Sequence, residues 1–335
     1  MTPSPSRHSG NRLGHRWAFL VNPVSGTGTG TDLRGQLIST LERSGLPPDA
    51  WSCDFTEPGA GLIRQVAELA TNHDRIVVAG GDGTIGLSLQ GLSRSGQTDC
   101  ALGVIPLGTG NDLARELHLF EDFRDGGLEA LLQAFLLDRT APLDLWSING
   151  GQATMINYLS LGLDGKATEM FATRRVLGGR KSILANKLRF AQAGIAALFQ
   201  RLPADFRMRL HRDGQVEDIA LPRRRTIAIL NVSHYAGGLL RIAETRPDDG
   251  LLTITCLPNM WAYAGLVLRR LCTRGRVGSG QLPLWRANRI ECTWTGDVGL
   301  QIDGEGREDL RECGRLDLTL AGRVKVLAGS PAEAT

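Results

Sequence analysis

The stretch Ile76-Val77-Val78-Ala79-Gly80-Gly81-Asp82-Gly83-Thr84 constrains the fold more than any other. Four apolar residues end on a glycine-rich turn, and helical spacing begins at Thr84, so the segment reads as a buried strand, a loop and a helix. Glycine at three of the four turn positions lets a ligand approach the bare backbone. The helix N-terminus beyond it offers free N–H groups and a partial positive charge, both suited to phosphate. A carboxylate in such a loop repels phosphate unless a cation lies between them, so Asp82 points to a metal–nucleotide complex. The same residues also build an ordinary βα turn, and the remainder of the chain has to decide between the two.

Two further junctions of this kind follow strands. Trp17–Val21 meets Asn22-Pro23-Val24-Ser25-Gly26 and then Thr27-Gly28-Thr29-Gly30. This is neither a Walker A loop nor a Gly-x-Gly-x-x-Gly fingerprint, because no Gly-Lys-Ser/Thr follows and the glycines alternate. Ala101–Ile105 is stopped by Pro106 and followed by Leu107-Gly108-Thr109-Gly110-Asn111-Asp112-Leu113-Ala114-Arg115, where Asn111 or Asp112 is placed to cap a helix. Between them lie a strand at Trp51–Phe55 ending on Thr56, and amphipathic helices carrying Leu33, Leu37, Ile38 and Leu41, then Leu62, Ile63, Val66, Leu69 and Ala70. A later helix carries Leu128, Leu131, Leu132, Phe135 and Leu136 on one face. Alternating strands and helices with short loops predict a mostly parallel sheet covered by helices, and ligands of such sheets bind beyond the strands' carboxyl ends. All three glycine loops then face one crevice.

From about Pro142 short strands dominate: 143–148, 154–161, 206–210, 226–232, 251–257, 290–294 and 316–320. Asp213-Gly214 between alternating strands is a hairpin signal. Helices are expected around Ile183–Phe199 and Trp261–Cys272. The second half is therefore mainly antiparallel β, a sandwich or a flattened barrel. The domain boundaries predicted are a disordered tail at 1–14, a nucleotide-binding domain at 15–142 and a β-rich domain at 143–328.

Composition narrows the function classes. A net charge of +3 on 335 residues is too mild for a nucleic-acid binder. The basic clusters Arg174-Arg175, Arg180-Lys181, Arg223-Arg224-Arg225 and Arg269-Arg270 with Arg274 and Arg276 read as solvated faces or as contacts for anionic lipid headgroups. Cys53, Cys100, Cys256, Cys272, Cys292 and Cys313 form no Cys-x-x-Cys pair, which favours a reduced compartment over a disulfide or zinc framework. No apolar run approaches the roughly 18 residues of a membrane span. Met1–Gly14 lacks the apolar core of a signal peptide.

Taken together, Asn22–Gly26, Gly80–Thr84 and Pro106–Arg115 resemble the diacylglycerol kinase catalytic domain. The resemblance continues in order through Asn157–Asp164, Asn186–Phe190, Ile227–Asn231, Gly237-Gly238, Asp248-Asp249-Gly250 and Gln301-Ile302-Asp303-Gly304-Glu305, which resemble the accessory domain. It spans roughly Trp17–Val326. Many bacterial lipid kinases of this superfamily carry Asn-Glu after Gly-Gly-Asp-Gly-Thr-x, whereas Gly86-Leu87 follow Ile85 here. With Asn186–Arg189, that form looks more like the eukaryotic diacylglycerol kinases, although their zinc-finger modules have no counterpart in this sequence.

The resemblance implies an α/β fold, with a doubly wound sheet like that of NAD kinase and phosphofructokinase followed by an antiparallel β-sandwich. It implies ATP and Mg²⁺ as cofactors and transfer of phosphate to diacylglycerol, giving phosphatidate. Asn22, Ser25, Gly26, Thr56, Gly81, Asp82, Gly83, Thr84, Gly108 and Thr109 are expected around ATP, with Asp82 acting through Mg²⁺ and its waters. Glu305 is expected as the general base, although Asp303-Gly304 also reads as a polar hairpin turn. By resemblance to bacterial relatives, the Asp249 side chain and the Arg246 and Leu251 backbones would hold a structural Mg²⁺; Asp248-Asp249-Gly250 is equally a turn. Asp112 and Asp144 are candidates for a carboxylate–water network, and Asp112 is also a candidate helix cap.

A lipid acceptor without a spanning segment implies a cytoplasmic protein that visits the inner membrane surface. Ile183–Phe199, with Lys181, Lys187 and Arg189, either lies at that interface or covers the β-domain. Kinases of sphingoid bases, ceramide or other glycerolipids share the glycine loops, and NAD kinases share Gly-Gly-Asp-Gly. A non-catalytic nucleotide- or lipid-binding protein of the same fold is the reading from another class, and a homodimer is left open.

Overall fold

The computed structural model describes residues 14–25, 30–162, 165, 202–221, 226–238, 240–257, 276–277 and 282–330. The helices expected at Ile183–Phe199 and Trp261–Cys272 lie outside the described residues, as do Gly26 and most of the basic clusters. Among the described residues no helix is long and apolar enough to cross a membrane.

The first half alternates as its periodicity predicts: β1 (Trp17–Val21), α1 (Gly30–Arg43), β2 (Trp51–Phe55), α2 (Ala60–Asn72), β3 (Arg75–Gly80), α3 (Asp82–Ser95) and β4 (Ala101–Pro106). The four strands are parallel in the order β2-β1-β3-β4. Strands β1, β3 and β4 are buried at every position, which is why they read as continuous apolar runs. The chain leaves β1 towards β2 on one side and meets β3 on the other. The sheet's topological switch point thus lies between the ends of β1 and β3, at Asn22 and Gly81.

After β4 the helical segment is two helices, α4 (Asp112–Glu116) and α5 (Leu119–Leu136), the latter kinked at Gly127, whose φ is 65°. Neither Asn111 nor Asp112 caps α4 through its side chain. Both are engaged elsewhere.

The second half contributes β5 (Thr140–Ile148), β6 (Ala153–Met155), β7 (Tyr158–Gly162), β8 (Arg207–Arg212), β9 (Gln215–Ile219), β10 (Thr226–Leu230), β11 (His234–Tyr235), β12 (Leu240–Ile242) and β13 (Leu252–Leu257). There follow β14 (Arg276–Val277), β15 (Leu284–Ala287), β16 (Arg289–Thr293), β17 (Leu300–Ile302), β18 (Glu305–Gly306), a short α6 (Glu308–Glu312) and β19 (Arg315–Leu327). The Asp213-Gly214 hairpin forms as expected, with both turn residues at positive φ and Arg212 paired with Gln215.

Three expectations change. The strand placed at 154–161 is two strands, because Ile156, Asn157 and Tyr158 donate their amides to the Asp303 carboxylate and break the ladder between them. The strand placed at 316–320 runs on to Leu327 through a register shift between Leu320 and Gly322. That extension pairs parallel with β4 and antiparallel with β5, so the last strand returns to the first sheet. The division at 142/143 accordingly falls inside β5, and the two halves share one ten-stranded sheet.

The outer part of that sheet packs on a six-stranded antiparallel sheet, β15-β13-β10-β7-β17-β18. Their facing side chains, among them Trp146, Met208, Ile290 and Leu318 against Leu159, Ile229, Ile254 and Leu300, form one sandwich core. A separate core lies between the parallel sheet and α1–α5.

Candidate active site

The ends of β1, β3 and β4 deliver three loops to one place. Asn22 donates its side-chain amide to Thr84 Oγ at 2.7 Å, tying the first loop to the second. Leu107 N donates to Gly80 O at 3.0 Å, tying the second to the third. Gly81 and Gly108 face each other so closely that a Cβ on Gly108 would stand 3.0 Å from the Gly81 Cα. A side chain on Gly108 would press on Asn111 Oδ1 and the Gly81 backbone, whereas a Cβ on Gly81 would meet Gly108 at an ordinary 3.5 Å, so the physical demand for glycine falls on Gly108. Asn111, in the left-handed conformation, folds the third loop: its side chain accepts from Gly108 N at 2.9 Å and donates to Gly108 O at 2.8 Å. Thr56 sits beside the end of β1, with its N donating to Val21 O. Ser25 closes the first loop on Asn22, and Thr109 is exposed on the third.

Asp82 opens α3, and its carboxylate accepts from Asn111 N at 3.2 Å. Burial pushes its pKa up, the Asn111 amide draws it down, and the Asp112 charge pushes it up again. A carboxylate crowded by burial and by a second carboxylate is the condition a cation relieves. Among the described residues no group of three or more His, Cys, Asp or Glu side chains could hold a metal alone. The donor set around Asp82 fits a hydrated Mg²⁺ that arrives with phosphate oxygens rather than a protein cage.

The second half reaches these loops through the β17–β18 hairpin. Asp303 and Gly304 both have positive φ, at 51° and 86°, and Ile302 pairs with Glu305 across the turn. The turn is locked from both sides. Gly304 N donates to Gln301 Oε1 at 2.7 Å, and Asp303 accepts from Ile156 N, Asn157 N and Tyr158 N at 2.7–3.0 Å. Burial pushes the Asp303 pKa up to about 7 against the pull of those three amides, with Asp82 adding to the rise. The product of this construction is the position of Glu305: its Oε1 lies 2.7 Å from where a Cβ on Gly83 would stand. Glu305 is otherwise exposed. The hairpin-turn and site readings of 303–305 are therefore compatible.

Other carboxylates join the two halves. Asp112 accepts from Gly237 N at 2.9 Å and Gly238 N at 2.7 Å. One turn later Glu116 accepts from Ser233 N, Ser233 Oγ and His234 Nδ1. Burial works to raise the Glu116 pKa, but the donations from His234 and Ser233 outweigh it and hold it below the ordinary value. Asp144 is buried, accepting from Gly250 N at 2.7 Å and Arg323 Nε at 2.6 Å. Both Asp112 and Asp144 thus spend their oxygens on backbone amides and an arginine. Glu116 and Asp303 were not singled out from sequence; for Asp303 the signal was an Asp-Gly pair directly before the candidate base.

Asp249 lies in a separate cluster. Its Oδ1 accepts from Leu251 N at 3.0 Å and its Oδ2 from Arg286. Arg246 turns its guanidinium to Asp248. With both Asp249 oxygens engaged and a guanidinium beside them, this donor set does not fit the structural Mg²⁺ expected there.

Comparison with known proteins accounts for this architecture. The diacylglycerol kinase catalytic domain matches residues 16–148, and the diacylglycerol kinase accessory domain matches residues 154–306. The chain belongs to the diacylglycerol kinase family. Relatives within it include "Probable lipid kinase YegS-like" of Pseudomonas aeruginosa, 32% identical over 277 residues, 81% of this chain and 83% of the relative. "Diacylglycerol kinase 2" of Arabidopsis thaliana is 28% identical over 304 residues, 82% of this chain, yet the match spans only 41% of that longer protein. The fold is shared with a putative diacylglycerol kinase from Bacillus anthracis str. Sterne at a TM-score of 0.64 and 20% identity, covering 96% of this chain and 99% of that one. Kinase-family membership gives the three glycine loops their context: the Asn22, Gly81 and Gly108 turns belong to the catalytic-domain match, and Glu305 to the accessory-domain match.

Proposed function

We propose that the protein is an ATP-dependent lipid kinase that phosphorylates the free hydroxyl of diacylglycerol, giving phosphatidate and ADP. The observation that carries this reading is the approach of Glu305, from the accessory half, to Gly83 in the loop that bears Asp82. Phosphoryl transfer asks the protein for positioning, neutralisation of phosphate charge and a group to take the hydroxyl proton. Asn22, Ser25, Thr56, Gly81, Asp82, Gly83, Thr84, Gly108 and Thr109 would meet the ATP phosphates with amides and hydroxyls, and Gly26 is assigned to the same set by its sequence alone. When bound, Mg²⁺ beside Asp82 neutralises phosphate charge. Glu305 accepts the proton as the lipid oxygen bonds to the γ-phosphorus and the bond to the β,γ-bridging oxygen breaks. The Asp303 clamp fixes the hairpin so that this carboxylate is in place before substrate arrives.

The acceptor reaches this hairpin from a membrane surface that the protein contacts peripherally. An ATP-consumption assay across vesicles doped with diacylglycerol, sphingosine, ceramide or monoacylglycerol tests the assignment. Turnover greatest with diacylglycerol, with phosphatidate as product, is the expected outcome. Preferential turnover of another lipid would reassign the acceptor, and good ATP affinity without turnover on any lipid would favour a binding protein.

A further inference from the structure

The 246–251 loop carries Asp248 and Asp249 against the buried Asp144 of β5. Asp144 N donates to Pro247 O at 2.7 Å, and Gly250 N donates back to Asp144 Oδ2 at 2.7 Å, so loop and strand are bound to each other. Three carboxylates at one junction require positive charge. The structure supplies it from three arginines: Arg323 on Asp144, Arg286 on Asp249 and Arg246 on Asp248. Arg323 also lies in the field of Asp248 and Asp249.

We infer that Arg286 and Arg323 are the resident cations of this junction, and that the 246–251 loop folds without a divalent metal. Six ionic groups already balance. A dication binding Asp249 through Oδ2 would have to displace Arg286, and one binding through Oδ1 would sit beside that guanidinium, only 26% exposed, adding two positive charges next to it. The register explains why these arginines serve. Arg286 lies opposite Thr253 in the β15–β13 pair, two residues beyond Leu251, and Arg323 lies directly opposite Asp144 in the β19–β5 pair. The long final strand thus brings its own counter-charge to the loop. The inference is independent of which lipid is phosphorylated.

The test is a melting experiment on the full chain without nucleotide, in EDTA and in millimolar Mg²⁺, with Mn²⁺ binding followed by electron paramagnetic resonance. The wild-type melting temperature should be the same in both buffers, whereas a metal bound well above its Kd would raise it by a few degrees. Arg286→Gln should melt lower in EDTA and recover part of the loss with Mg²⁺, because it frees a carboxylate oxygen. A variant that folds and ignores Mg²⁺ would count against the inference. If the variant does not fold, wild-type Mn²⁺ binding decides alone: a tight site that survives Asp82→Asn and disappears in Asp249→Asn overturns it. Absence of such a site, or its loss in Asp82→Asn instead, upholds it.

Discussion

Glu305 and Gly83 meet across the two halves of the molecule, with Glu305 Oε1 2.7 Å from the place a Gly83 side chain would occupy. The contact joins the hairpin after β17 to the first turn of α3, and it is possible only because residue 83 has no side chain. Gly83→Ala should therefore displace the Glu305 carboxylate rather than the backbone, since the obstructing atom is the end of a flexible side chain. Turnover should fall at least tenfold, with kcat carrying the loss and the melting temperature nearly unchanged. Steady-state kinetics and a thermal melt together check this, and an unaltered kcat would detach Glu305 from the chemistry.

Asp112 ties α4 to the Gly237-Gly238 turn through two short bonds from backbone amides. Asp112→Ala would leave both amides without their acceptor, and because both are only half-buried the pair together should lose about 1–3 kcal/mol. Urea unfolding should register a loss in that range, and turnover should fall because the halves lose a tether. Loss of ATP affinity without loss of stability would instead place Asp112 at the nucleotide.

The Asp303 carboxyl gives a pH signature. Its folded-state pKa is pushed up to about 7 by burial, whereas the unfolded chain releases the proton near the ordinary 3.8. Between those values the native state holds a proton that the unfolded state has lost, so this contribution to stability is complete below about 3.8 and is lost as pH rises through about 7. The unfolding free energy of the wild type relative to Asp303→Asn should decline from pH 5 to pH 7 and level off above it. A relative stability that climbs with pH over that window would show the three amides holding Asp303 ionised throughout.

The parts of this fold that sequence made legible are those whose determinants are local. Strand β1 falls where its apolar run places it, β2 where Trp51, Cys53 and Phe55 alternate with Ser52 and Asp54, and the three glycine loops follow strands as expected. What local pattern could not give is partner choice. Ala321-Gly322 interrupts the apolar alternation of β19, which resumes with Val324 and Val326 beside Arg323 and Lys325, and the strand continues through the break because β5 and then β4 pair with it. Asp112 has the residue type and place of a helix cap, but two amides 125 and 126 residues away outcompete that role. Asp249 likewise resembles a metal ligand until Arg286, 37 residues on, is seen against it. The split between β6 and β7 has the same origin, since Asp303 removes three amides from the ladder from 145–147 residues away.

The central claim is that a carboxylate of the accessory half takes the substrate proton at a nucleotide site built by the catalytic half. Phosphatidate formation by Glu305→Gln, assayed with diacylglycerol vesicles and saturating ATP alongside calorimetric ATP binding, tests it most directly. The variant removes the base while keeping the side chain's size, so turnover should drop by about 10²–10⁴-fold with ATP affinity retained. Near-normal turnover in that variant would contradict the account.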